Sequence, residues 1–155
     1  HTVLADVIVH AIEWFEGRGQ PVQAACCVFA TAPFVSAAAI RQGADALAGG
    51  KSFAIAVTSF PFAVQRAVRI LPDGSLDALY PQYGQTRSQD LEPAWHDAGQ
   101  FCWGTRDAFI HRLPAFAPHT AAIKLPRHLV QDLDTPEDWH RAELMYEALR
   151  RRGEL

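Results

Sequence analysis

Asp132 and Asp134 stand two residues apart in the run VQDLDTPEDW, residues 130–139, and no other pair of side chains in the chain says as much about chemistry. Val130 and Leu133 are apolar, so an extended backbone across this run would turn both carboxylates to one side. Two carboxylates held together repel unless a cation lies between them. Oxygen-only ligation with room for waters suits Mg²⁺. A purely structural reading stands beside this one. Thr135-Pro136-Glu137-Asp138 starts a helix, with Thr135 as N-cap, Pro136 at the first helical position and Asp138 three residues beyond the cap. Asp134 then only ends a strand and Asp138 only complements the positive helix end. That reading leaves Asp132 without a role.

Three arginines, Arg66, Arg87 and Arg127, fall in or beside loops at the ends of expected strands. There a guanidinium can fork onto a carboxylate or a phosphate, although solvated surface charge would explain the same positions. His96 and Asp97 are adjacent, which invites an acid–base reading, but neighbouring residues of a strand point to opposite faces. The seven histidines show no H-x-x-x-H or H-x-H spacing, so no zinc site is suggested. No serine lies in a G-x-S-x-G elbow, and hydrolase chemistry has no foothold.

Composition narrows the class. The 155 residues are 49% hydrophobic and 20% charged, which fits one α/β domain able to bury a core. A formal charge of -3 gives no overall attraction to nucleic acid, and Arg150, Arg151 and Arg152 read as the solvated end of a helix. Cys26, Cys27 and Cys102 lie in apolar runs without C-x-x-C spacing, which points to reduced thiols and a cytoplasmic setting. No apolar run approaches the roughly 20 residues of a membrane span.

The elements that must position these side chains follow from periodicity. Residues 1–17 carry apolar positions at a spacing near 3.6, an amphipathic helix stopped by Gly17, Gly19 and Pro21. Residues 22–29 form an almost wholly apolar run that reads as a buried central strand of a parallel sheet. Ser36 caps a helix reaching about Leu47, and residues 53–58 form the next strand, giving a βαβ pattern. Residues 67–71 and 76–80 flank a Pro-Asp-Gly-Ser turn and read as a hairpin. Residues 81–93 are polar and irregular, a place for ligand contacts. Residues 98–103 form a strand whose Phe101 and Trp103 fill the core, Thr105 opens a short helix, and residues 121–125 form the last strand before the run that holds Asp132.

The motifs together resemble the CMP-sialic acid synthetase family of cytidylyltransferases, which activate nine-carbon acidic sugars. The matching pieces are CVFATAPF (27–34), FPFAVQRA (60–67), TRSQDL (86–91), HDAGQF (96–101) with Trp103, PRH (126–128) and VQDLDTPEDW (130–139). Each alone is weak; their order and spacing make the likeness specific. The resemblance implies transfer of CMP from CTP to the anomeric hydroxyl of the sugar acid, with release of pyrophosphate. It places Mg²⁺ on Asp132 and Asp134 and the acidic sugar on Arg87. It also implies substrate contacts from Phe62 and Arg66 of the 60–66 loop, from Ser88 and Gln89, from His96, Asp97 and Gln100, and from Arg127. The fold it implies is a Rossmann-like mixed sheet of the nucleotide-diphospho-sugar transferase type, in one domain with a hairpin lobe near residues 66–97 that mediates a homodimer.

Members acting on sialic acid carry Gln at the position of Ala30 and an Arg-Pro-Asn-Gly run in place of His96-Asp97-Ala98-Gly99, so the resemblance favours the branch acting on pseudaminic acid. Sialic, legionaminic or eight-carbon acids remain alternatives, as does a dimerising fragment without catalysis. The chain opens on a helix with no preceding strand and contains no Gly-rich phosphate loop, where the family's amino-terminal strand and loop hold the CTP triphosphate. The expectation is a carboxyl-terminal portion of a longer protein, inactive or poorly active by itself.

Overall fold

Apolar side chains recurring every three to four residues fold the first described segment into helix α1 (Leu4–Glu16), which buries Ile8 and Ile12. The computed structural model describes residues 3–154; His1 and Thr2, where the expected helix begins, lie outside them. Strand β1 (Ala24–Val28) follows, then helix α2 (Ala37–Ala48), whose N-cap Ser36 accepts a hydrogen bond from the Ala39 amide at 3.2 Å. Next come β2 (Phe53–Ser59), the short strands β3 (Val68–Ile70) and β4 (Leu76–Ala78), and the long β5 (Trp95–Thr105). Thr105 caps the short α3 (Arg106–Ile110), β6 (Thr120–Lys124) completes the strands, and α4 (Pro136–Arg152) closes the described chain.

Four strands form one mixed sheet in the order β1-β5-β2-β6. β5 runs antiparallel to both β1 and β2, whereas β2 and β6 are parallel. Strands β1, β2 and β6 therefore share a direction, and their carboxyl ends lie along one rim. The expected α/β class with a mixed sheet is what the chain adopts.

The position of β1 differs from expectation. It is neither central nor in a parallel pair: among the described residues it is one of the two outer strands, bonded to β5 alone. Its unbroken apolar sequence has another cause. Ala25 and Cys27 pack on the cluster of Ile8, Ile12, Phe53 and Phe109, while Cys26 packs on the cluster of Ala39, Ala54, Phe101 and Ile123. Both faces are covered, and side-chain pattern reports faces rather than edges. Burial raises the Cys26 thiol to about 11 and the Cys102 thiol to about 12, keeping them protonated and unreactive.

A second correction concerns the run holding Asp132. No sheet strand forms over residues 130–133. Arg127–Leu129 make a 3₁₀ turn, Val130 is extended, and the chain then runs without helix or strand to a bend at Asp134 and Thr135. The hydrogen bonds of this stretch go to a loop and a side chain instead: Leu133 N–H donates to Thr31 O at 3.2 Å, and Gln100 Nε2 donates to Leu129 O at 2.6 Å.

The expected hairpin is present, with Val68 opposite Ala78, Ile70 opposite Leu76, and Gly74 at φ 83° in its turn. It stands apart from the four-stranded sheet, leaving Val68, Ile70 and Leu76 exposed. Among the described residues no helix is long and apolar enough to cross a membrane.

Candidate active site

Along the rim where β1, β2 and β6 end lies an open cavity of about 610 Å³. This is where an α/β sheet gathers its ligands, because the connections diverge beyond the strand ends. Phe29 and Thr31 come from the loop after β1, Thr58 and Ser59 from the end of β2, His96 to Gly99 from β5, Arg127 and Val130 to Asp132 from the segment after β6, and Arg141 from α4.

Two features of the sequence fix the Asp132 segment. Gln131 is buried, and its Nε2 donates to Asp132 O at 2.8 Å and to Asp138 Oδ1 at 2.9 Å. Asp138 belongs to the capping box expected at the start of α4: Asp138 N–H donates to Thr135 Oγ1 at 3.2 Å, and Thr135 N–H donates to Asp138 Oδ2 at 2.9 Å. The Thr135 hydroxyl, ahead of the backbone amides, holds the Asp138 carboxyl below the usual carboxylate range. The helix start and the cavity wall are thus one hydrogen-bonded unit.

Within that unit Asp132 is half-buried, and its Oδ1 is fully buried with no hydrogen-bond partner. A buried anionic oxygen left unpartnered costs free energy that a cation or donor would offset. Among the described residues no group of three or more His, Cys, Asp or Glu is gathered into a preformed metal cage. The donor set instead suits a hard cation held by one or two carboxylates and completed by water and substrate oxygens.

The structure brings four of the expected site residues to the cavity: His96, Asp97, Arg127 and Asp132. The His96 imidazole rests 4.7 Å from the Phe60 ring, and its Nδ1 lies 2.7 Å from Asp97 O rather than on a carboxylate. A carbonyl only accepts, so Nδ1 carries a proton in this contact. Asp134 is exposed beside the N-cap and is not part of the lining. Gln100 is fully buried and holds Leu129. Arg87 pairs with Asp90 at 2.7 Å, Arg66 Nη1 donates to Gly84 O at 3.0 Å, and Phe62, Ser88 and Gln89 are exposed in the same lobe.

Thr31, Thr58, Ser59, Gly99 and Arg141 line the cavity without having been singled out as site residues. Arg141 was open to reasoning, since it lies three residues beyond Asp138 and so on the helix face that the capping box aims.

Over 141 residues, 90% of its length, the chain is 34% identical to a pseudaminic acid cytidylyltransferase of Campylobacter jejuni subsp. jejuni serotype O:2. The chain is similar to pseudaminic acid cytidylyltransferases. A second such enzyme, from serotype O:23/36 of the same subspecies, is 34% identical over 140 residues. A Helicobacter pylori protein named as pseudaminic acid cytidylyltransferase and UDP-2,4-diacetamido-2,4,6-trideoxy-beta-L-altropyranose hydrolase is 23% identical over 83% of the chain. The chain spans 61% and 60% of the length of the two Campylobacter relatives. No family model matches it.

Proposed function

We propose that this chain supplies the metal-binding and sugar-acid-binding part of a cytidylyltransferase that moves CMP from CTP to the anomeric hydroxyl of pseudaminic acid, releasing pyrophosphate. The observation that carries the reading is the buried, unpartnered Asp132 Oδ1 on a cavity that also bears the guanidinium groups of Arg127 and Arg141. Sequence similarity to the Campylobacter enzymes supplies the substrate class.

In this reading Asp132 and Asp134 hold Mg²⁺, which when bound neutralises phosphate charge and polarises the bond to the leaving pyrophosphate. Arg127 and Arg141 attract an anionic sugar that the carboxylates alone would repel, and fix its orientation. His96, whose Nδ1 is engaged by Asp97 O, receives at Nε2 the proton that the anomeric hydroxyl gives up. Arg87, Ser88 and Gln89, which are not among the residues lining the cavity, act from the hairpin lobe of a homodimer, a reading supported by the exposed apolar residues of that hairpin. The setting is the cytoplasm, in keeping with three free thiols.

The reading is tested by pyrophosphate release from CTP and Mg²⁺ by a polypeptide of the Campylobacter relatives' length that contains this chain, with pseudaminic acid and N-acetylneuraminic acid compared as acceptors. Release with pseudaminic acid, at least tenfold faster than with the other acid, supports it. Release that does not depend on a nine-carbon acid, or none from a folded protein, rejects it.

A further inference from the structure

Strand β5 is irregular at one place. Val57 pairs with Asp97 and Ile55 with Cys102, so one residue of β2 lies opposite four of β5. The extra length forms a tight turn: Asp97 Oδ1 accepts a hydrogen bond from Gly99 N–H at 2.8 Å, and Gly99 adopts φ 61°. The turn presses against the Asp132 carboxylate. A Cβ on Gly99 would lie 2.8 Å from Asp132 Oδ2 and 3.1 Å from its Cγ, too close for the carboxylate to stay where it is.

The Asp132 main chain is not free to retreat. Its own carbonyl is held by Gln131 Nε2, and the next amide is bonded to Thr31 O. Any group added at residue 99 would therefore displace the carboxylate and leave the backbone in place.

We propose that Asp97 and Gly99 are positioning residues for Asp132: the turn they close makes the space its carboxylate occupies and holds that carboxylate at the cavity wall as a cation ligand. The proposal rests on the reading of Asp132 as a cation ligand. It gives Asp97 a role distinct from ligation, because what the turn needs from residue 97 is an accepting oxygen rather than a charge. Asn supplies that oxygen; Ala does not.

The test uses Mn²⁺ as the probe, with free ion followed by electron paramagnetic resonance and folding by thermal melts, on the chain and its Asp132→Asn, Gly99→Ala, Asp97→Ala and Asp97→Asn variants. The expected result is one Mn²⁺ bound by the original chain and lost in Asp132→Asn. Gly99→Ala and Asp97→Ala should weaken binding tenfold or more while still melting cooperatively, and Asp97→Asn should stay within threefold. Should Gly99→Ala not fold, Asp97→Ala carries the same question with the glycine intact. Unchanged Mn²⁺ affinity in the folded Ala variants overturns the proposal, as does an Asp97→Asn variant that loses as much as Asp97→Ala, or an original chain that binds no Mn²⁺. Neither CTP nor sugar enters the measurement, so transfer of CMP to a different acid would overturn the proposed function and leave this result standing.

Discussion

Gly43 of α2 and Trp103 of β5 fit together because the helix residue has no side chain: a Cβ there would lie 2.4 Å from the indole Cδ1 and 3.0 Å from Nε1. The Cδ1–Nε1 edge of the indole meets the helix, and Nε1 donates to Ile40 O at 2.9 Å, so the ring cannot slide away without losing that bond. Gly43→Ala sets two effects against each other. Helix propensity favours Ala by about 1 kcal/mol. Overpacking costs about 1–3 kcal/mol, and the lost indole bond adds to it. The variant is predicted to be less stable by about 1–2 kcal/mol. A urea midpoint at or above that of the original chain would show that the indole has room to move.

A second relationship ties α1 to α3. Arg106 Nε and Nη2 donate to the two carboxylate oxygens of Glu16 at 2.5 and 3.1 Å across a partly buried contact. The Arg106 hydrogen bond, ahead of other causes, lowers the Glu16 carboxyl below its ordinary value. A carboxyl lowered on folding contributes stability above its unfolded value, and that contribution is lost as pH falls through the folded value. Glu16→Gln is therefore predicted to lower the melting temperature at pH 7, with the gap to the original chain closing below about pH 4. A gap that persists or widens in acid would mean that the glutamate acts by packing alone.

Much of this architecture was legible because local signals agree with tertiary ones. Thr135-Pro136-Glu137-Asp138 gave the start of α4 because an N-cap hydroxyl, a proline and an acid are each favoured there for independent reasons. Ser36, Thr105 and the Pro-Asp-Gly-Ser turn were legible for the same kind of reason. The place of β1 in the sheet was not, since its apolar run records cover on two faces and carries no information about which strand lies alongside. At the site, Asp132 stood out because capping chemistry left it without work, and the cavity does contain it. Gly99 did not stand out, because its value depends on an irregularity in strand register that brings residues 99 and 132 together. Gln100 was read with the site because it sits in the same motif. Its amide instead fastens Leu129, the residue that leads into the cavity wall.

The hairpin of β3 and β4 makes a prediction about assembly. An isolated two-stranded ribbon is marginal in water, and this one exposes Val68, Ile70 and Leu76. Its one ion pair, Arg69 with Asp77, is exposed and contributes little. A homodimer that covers these side chains is predicted to be weakened tenfold or more by Ile70→Glu, with the melting of the four-stranded sheet little changed. Sedimentation equilibrium over micromolar concentrations reads this directly. A mass of 17.1 kDa for the original chain throughout that range would exclude the dimer.

The last prediction separates a cation ligand from a structural acid at Asp132 and Asp134. If the pair holds Mg²⁺, replacing either carboxylate by the isosteric amide removes charge that matters most when phosphate charge redistributes, and turnover falls. A loss of two or more orders of magnitude, about 3 kcal/mol of transition-state stabilisation, is expected for Asp132→Asn and for Asp134→Asn in a polypeptide of the relatives' length. Stability should move little and in opposite senses. Asp132→Asn removes a negative charge whose Oδ1 is buried without a partner, so its melting temperature should stay level or rise. Asp134 is exposed beside the positive end of α4, and its replacement should lower the melting temperature slightly. A structural role predicts the reverse: clear loss of stability with turnover preserved in whatever remains folded. Pyrophosphate release measured across a Mg²⁺ titration, beside thermal melts of the same preparations, distinguishes the two. Near-normal turnover in either variant removes that residue from the metal site.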